Sequence, residues 1–307
     1  MAMQLRRTPV LGTWGGEWRS RHQSQFEESR YNLRVFGKDR LAAIGVCWVV
    51  FMILVAVMAP WIAPYPDQGR GASDVSERLQ APSRAHPFGT DPSGRDVLSR
   101  VIYGARIPLV LPVIVVAGVL IIGVPLGGLA GYFGGRVDEL IMRITDVFLA
   151  FPSLVMAMAL VAFLGPSLRN VALALVITWW PWYTRLVRGM AISLRQRPYV
   201  LAARTMGVSR WTIIRRHVLP NTIGPVIVQV TLDIGTVILE VAGLSFIGLG
   251  AQAPTADWGL MISEGRQYIL SEWWICTFAG IAIFLLVLSY NLIGDGLRDV
   301  LDPRTKR

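Results

Sequence analysis

Two acidic residues stand alone inside an otherwise uncharged stretch of this 307-residue chain, Asp233 and Glu240. Their seven-residue separation puts both on one face of a helix. Carboxylates in an apolar segment are costly, and by default they mark a solute or ion pathway or a buried polar pair. Placed about 1.5 Å per residue from Thr222, Asp233 falls near the middle of such a helix and Glu240 near its far boundary. The other conspicuous feature is Arg185–Arg216, which holds eight arginines and no Asp or Glu. Chemistry of other kinds is missing. His22, His86 and His217 are scattered, so no metal triad or paired-histidine helix can be drawn. Lys38 and Lys306 are the only lysines, and neither sits in a GxxxxGK[ST] context, so the chain is expected to hydrolyse no ATP itself. Cys47 and Cys276 lie in apolar runs and read as small core residues, not a disulfide or metal site.

The segments that must carry these residues are set by composition. Apolar residues make up 53% of the chain and charged residues 16%, against about 25% charged in a soluble domain. Charge is absent from Leu41–Pro66, Ile107–Gly135, Val147–Leu168, Asn170–Thr184, His217–Leu232 and Trp273–Gly294. A bilayer-crossing helix needs about 20 apolar residues. The shortest stretch, Asn170–Thr184, is extended by snorkelling of Arg185 and Arg188. The expectation is an all-α polytopic integral membrane protein with six transmembrane helices; strand-type alternation is lacking, which argues against a β-barrel. With the amino terminus inside, inner segments hold 22 Lys/Arg and outer ones eight. That bias places both termini in the cytoplasm and accounts for the formal charge of +10 without a nucleic-acid partner.

The expected organisation is a cytoplasmic tail (1–40) with Trp14 and Trp18 as surface anchors, a first transmembrane helix (41–62), an extracytoplasmic segment (63–105) and a five-helix core (106–307). The tail is longer than the leading region of a cleaved signal peptide, and none is expected. Five acids against five arginines in 63–105 suit a folded surface segment. Frequent Gly and Pro in the second span, among them Gly118, Gly123, Gly127, Gly128 and Gly131, permit close helix approach and repacking. Asp146 is expected to pair with Arg143 one turn away. Trp179, Trp180 and Trp182 read as interface anchors and packing.

Within the core, 185–220 is too long for a turn between spans. Pro198 opens a short helix, Tyr199–Met206, and Gly207 stops it. Ser209 caps a second, Arg210–Leu219, which Pro220 is expected to end.

The stretch Tyr199-Val200-Leu201-Ala202-Ala203-Arg204-Thr205-Met206-Gly207, followed by His217-Val218-Leu219-Pro220-Asn221, resembles the "EAA" loop of ABC-importer permeases. Ala202, Ala203, Gly207, Leu219 and Pro220 stand where that pattern places them, while Leu201 replaces its glutamate. His86-Pro87-Phe88-Gly89-Thr90-Asp91 through Arg100, Leu244–Gly250, Gly294–Asp299 and Asp302-Pro303 narrow the resemblance to the C-type subunit of the dipeptide/oligopeptide/nickel permeases, over roughly residues 35–307. The resemblance implies a type I ABC-importer permease fold in a bacterial cytoplasmic membrane. It implies a homologous permease partner, two cytoplasmic ATPase subunits that bind the ATP and magnesium, and an extracytoplasmic substrate-binding protein; this chain needs no cofactor of its own. The ATPase-coupling residues would be Leu201, Ala202, Ala203, Arg204, Gly207, Leu219 and Pro220. Without the glutamate, docking would rest more on apolar contact and on Arg204. Peptide is the implied cargo; a nickel chelate, glutathione or another small solute fits the same machine. An ion-gradient-driven transporter would more often show inverted repeats and a self-contained ion site, and no convincing repeat is seen.

Overall fold

The computed structural model describes residues 39–301, so Trp14, Trp18, most of the tail and Asp302-Pro303 lie outside the described residues. Among these residues the architecture is helical. Asp39 caps the first helix, α1 (Arg40–Ile62), accepting from the amides of Leu41 and Ala42 at 2.9 and 3.3 Å. This removes two of the orphan donors at the helix start. Next come α2 (Val97–Gly104) and α3 (Arg106–Phe133), the latter running unbroken through Pro112 and Pro125. Gly134 and Gly135, with φ of +66° and +54°, turn the chain into α4 (Gly135–Leu149). The remaining helices of eight or more residues are α5 (Ser153–Leu164), α6 (Leu168–Arg195), α7 (Pro198–Thr205), α8 (Leu219–Phe246), α9 (Trp258–Gly265) and α10 (Trp274–Leu301).

Among the described residues, four helical stretches are long and apolar enough to cross a membrane: Arg40–Ile62, Val97–Phe133, Arg210–Phe246 and Trp274–Val300. The stretch expected as one span, Val147–Leu168, is divided instead. Pro152 has no amide to donate and excludes the helical conformation at Phe151, and α4 and α5 meet there at 82°. Counted together they make a fifth span. The expected fourth span lies in α6, whose 28 residues rise about 42 Å. Its length suffices, but Trp179–Arg185 and Arg188 make it less apolar than the others. Large side chains such as Ile121 (75% exposed) and Phe163 (88%) face outward, as expected where lipid is the solvent.

The core lies along the series α1, α10, α8, α3, α6, α5, each packed on the next. The longest contact is α3 on α6. A Cβ placed on Gly123, Gly127 or Gly131 would come within 2.8, 2.5 and 2.5 Å of the carbonyl oxygens of Trp180, Thr184 and Arg188. Both sets repeat every four residues, so a glycine groove on α3 receives the backbone of α6. Close backbone approach replaces the hydrophobic drive that lipid does not provide between helices.

Opposite the arginine-rich loop, residues 63–105 fold against α9. Arg100 bridges Asp91 and Glu264, both at 2.6 Å, and Arg95 reaches the same carboxylates at 2.7 and 2.9 Å. Both arginines are buried. This four-membered cluster joins segments 164 or more residues apart in sequence. His86, also buried, lies between Asp96 (3.0 Å) and Glu77 (3.2 Å). Asp257 caps α9 through the Leu260 amide at 2.8 Å, and burial pushes its carboxyl above the usual range.

Candidate functional site

At the arginine-rich end, Pro198 occupies the first turn of α7, and Gly207 follows with φ +78°, a conformation glycine adopts without penalty. Ser209 then caps a short turn, Arg210–Ile213, through the Thr212 amide at 3.2 Å. From there the structure departs from expectation. Pro220 does not end a helix. The turn widens into a π segment, Ile214–Val218, which feeds directly into α8 with Pro220 in the first α-turn, where its missing amide costs nothing.

The loop has two faces. Val200, Ala203, Ile213, Ile214 and Val218 are buried against Tyr132 of α3 and Ala191 of α6, a small core that fastens α7 to the bundle. Leu219 continues inward; a Cβ on Gly128 would meet its methyl at 2.6 Å. Facing outward are Leu201 (47% exposed), Ala202, Arg204, Gly207, Met206 (76%) and Pro220. Of the two alanines expected at a docking surface, Ala202 is therefore free to be touched and Ala203 belongs to the chain's own packing. Leu201, Arg204, Arg195 and Arg210 line a recess of about 450 Å³ with Tyr132, Phe133 and Gln196. Among the described residues neither Arg204 nor Arg210 has an acidic partner; Arg210 lies over the Phe133 ring at 6.0 Å.

Two other arginines of the stretch tie α6 to α4. Arg188 grips Asp138 through two bonds of 2.5 and 2.7 Å, and Arg185 meets Asp146 at 2.5 Å. The expected Arg143–Asp146 pair does not form; Arg143 instead reaches Glu139, four residues back, at 3.2 Å.

Asp233 and Glu240 share one face of α8, and both turn toward α6. The Tyr183 hydroxyl donates to Asp233 at 2.7 Å and the Gln229 amide at 2.9 Å. Glu240 accepts from the Trp179 indole at 2.8 Å and the Ser153 hydroxyl at 3.1 Å. Neutral donors thus compensate two half-buried carboxylates. Trp179 is therefore a polar partner of Glu240 as well as a packing residue, which composition alone could not distinguish. Ser153 is the first residue after the break at Pro152, so Glu240 also ties the start of α5 to α8. Beside Asp233 opens a recess of about 250 Å³ lined by Trp182, Tyr183, Arg185, Leu186, Gln229 and Asp233.

Residues 123–307, which include the loop, both acids and their partners, match the family model of binding-protein-dependent transport system inner membrane components. The chain belongs to that family. Residues 29–82 match the N-terminal transmembrane domain of oligopeptide transport permease C. Among relatives of this permease, the probable D,D-dipeptide transport system permease protein of Escherichia coli K12 is 47% identical over 286 residues, 93% of this chain and 95% of the relative. The dipeptide transport system permease protein of Alkalihalophilus pseudofirmus is 48% identical over 269 residues, 88% of each chain. A glutathione transport system permease protein of Escherichia coli O6:K15:H31 is 45% identical over 273 residues, 89% of each. A chain of the MetNI methionine ABC transporter, solved in inward-facing conformations, superposes with a TM-score of 0.52 at 19% identity, covering 66% of this permease and 96% of that chain. The fold is thus that of a type I ABC permease, and the membership favours the transport-permease reading over an ion-driven carrier.

Proposed function

We propose that this permease forms one half of the translocation pathway of an ATP-driven importer of di- or oligopeptides in a bacterial cytoplasmic membrane. The other half is a homologous permease. Two cytoplasmic ATPase subunits bind the ATP and magnesium, so this chain is no enzyme, and a binding protein delivers cargo from outside. Six spans, with α4–α5 as one and α6 as another, put both termini and 185–220 in the cytoplasm. The peptide reading is supported by the dipeptide permeases to which this chain is 47 and 48% identical.

One observation carries the coupling step: α7 is packed to the bundle on its Val200–Ala203 side and presents Leu201, Ala202, Arg204 and Met206 outward. An ATPase surface pressing on that outer face moves the inner face, and through Tyr132 and Ala191 moves the ends of α3 and α6. Gly207 lets the chain leave α7 sharply, so α7 is a helix distinct from the turn that follows it. Leu219 and Pro220 transmit the motion into α8, whose Asp233 and Glu240 lie along the pathway at its junction with α6.

ATP-dependent uptake of dialanine by the complete complex in proteoliposomes tests this. Asp233→Asn and Glu240→Gln should each lower uptake at least about tenfold, a loss near 1.4 kcal/mol. Unchanged uptake, ATPase coupling and assembly in both variants would remove these acids from the pathway.

A further inference from the structure

The recess beside Asp233 carries two charges with unfilled hydrogen-bonding capacity. Asp233 forms no salt bridge among the described residues; its oxygens accept only from Tyr183 and Gln229. Each carboxylate oxygen has room for a second donor. Arg185 lines the same recess and spends one amino group on Asp146, leaving most of its five N–H donors unused. Trp182, 59% exposed, lines the recess as well, and its indole face attracts a cation. The Gln229 side-chain oxygen, opposite the nitrogen that holds Asp233, is an unused acceptor. A carboxylate, a guanidinium and an aromatic face around about 250 Å³ complement a small molecule with an ammonium at one end and a carboxylate at the other.

We propose that this recess binds a short peptide as its zwitterion, with the free amino terminus on Asp233 and the free carboxyl terminus on Arg185. The assignment rests on the pathway reading above and adds to it that both chain ends are recognised inside the membrane component, independently of the binding protein. Arg185 suits the carboxylate because its planar fork takes two oxygens at once, while Asp233 suits an ammonium, which presents three donors. Neither charge alone selects a peptide; the pair rejects an amine or an acid lacking the other end.

Thiol protection at the recess is the test. Leu186→Cys places a reporter on its wall in the complete complex, and labelling by a soluble maleimide is timed with dialanine, N-acetyl-dialanine or dialanine amide present, subtracting the rate of the unmodified chain. Dialanine should slow labelling, and each capped form should need roughly tenfold more for the same protection, the discrimination one ion pair provides. Asp233→Asn should erase the penalty for acetylation alone, and Arg185→Gln the penalty for amidation alone. Equal protection by all three compounds overturns the proposal. So does labelling indifferent to peptide in a complex that imports dialanine, including a cysteine shielded throughout because a side chain of the second permease fills the recess. If a variant fails to assemble, the three-compound comparison with Asp233 and Arg185 intact still decides. A complex with no ATP-dependent dialanine uptake at all removes the peptide-import reading, and this assignment with it.

Discussion

Replacing Gly127 with alanine adds one methyl group to the most crowded point of the α3–α6 seam. That carbon would stand 2.5 Å from the Thr184 carbonyl oxygen, 2.8 Å from Val187 Cβ and 3.0 Å from the Arg188 amide nitrogen. Ordinary contact begins near 3.4 Å, so the helices must part by about 0.9 Å, and two of the three obstacles are backbone that cannot rotate away. Gly189 on α6 is the natural control, because a Cβ there meets nothing within 4 Å. Both changes gain alanine's helix propensity, about 0.8–1.0 kcal/mol over glycine. Overpacking costs about 1–3 kcal/mol at Gly127 alone. The two variants should therefore differ by roughly 1–3 kcal/mol, which at 2–4 °C per kcal/mol for a chain of this size is about 2–12 °C in apparent Tm. Purified variants compared side by side in one detergent, at one heating rate, provide the assay. Equal melting of Gly127→Ala and Gly189→Ala would refute the seam as a backbone-to-backbone contact.

Other expectations follow from the same contacts. Gly207→Trp forces a bulky side chain into a left-handed conformation that costs an L-residue about 1–2 kcal/mol. It should leave membrane insertion intact while uptake falls and ATP hydrolysis continues, both measured in proteoliposomes. Leu201→Glu should retain uptake, because residue 201 is exposed beside Arg204 and Arg210 and the new carboxylate finds cationic neighbours. Arg100→Ala leaves Arg95 as the one cation against both Asp91 and Glu264, so one carboxylate charge goes uncompensated; the change should cost up to about 3–5 kcal/mol, read as lost thermal stability or lost expression. In a double-mutant cycle, Arg188→Ala and Asp138→Ala should be strongly non-additive, by about 0.5–3 kcal/mol, since each leaves the other unpaired.

Features decided by local backbone chemistry were legible in the sequence. Pro198 at a helix start, Ser209 as a cap and Gly207 as a helix stop each follow from one residue's own geometry, and all three stand as read. Pro220 misled because proline is compatible with the first turn of a helix as well as with the end of one, and the π segment before it leaves no local signature. The break at Pro152 lay inside a run that hydropathy treats as continuous. Pairing over distance was hidden: Arg188 and Asp138 are 50 residues apart, and the local Arg143–Asp146 spacing offered a plausible but unoccupied alternative. Ala202 and Ala203 looked equivalent until the packing of α7 divided them. The glycines of α3 announced close approach without naming their partner, which required the matching four-residue repeat of α6.

The most direct test of coupling through α7 is a crosslink. Ala202→Cys sits on the exposed side of that helix, and Gly165→Cys marks the loop between α5 and α6. Both variants, each co-expressed with the neighbouring genes, would be isolated with whatever ATPase accompanies them and treated with a short thiol crosslinker against single cysteines on the ATPase surface. The ATPase should co-purify and crosslink to position 202 but not to 165, with a yield that changes between nucleotide-free and ATP-bound states. A permease that purifies without any ATPase, or one that crosslinks equally from both positions, would contradict it.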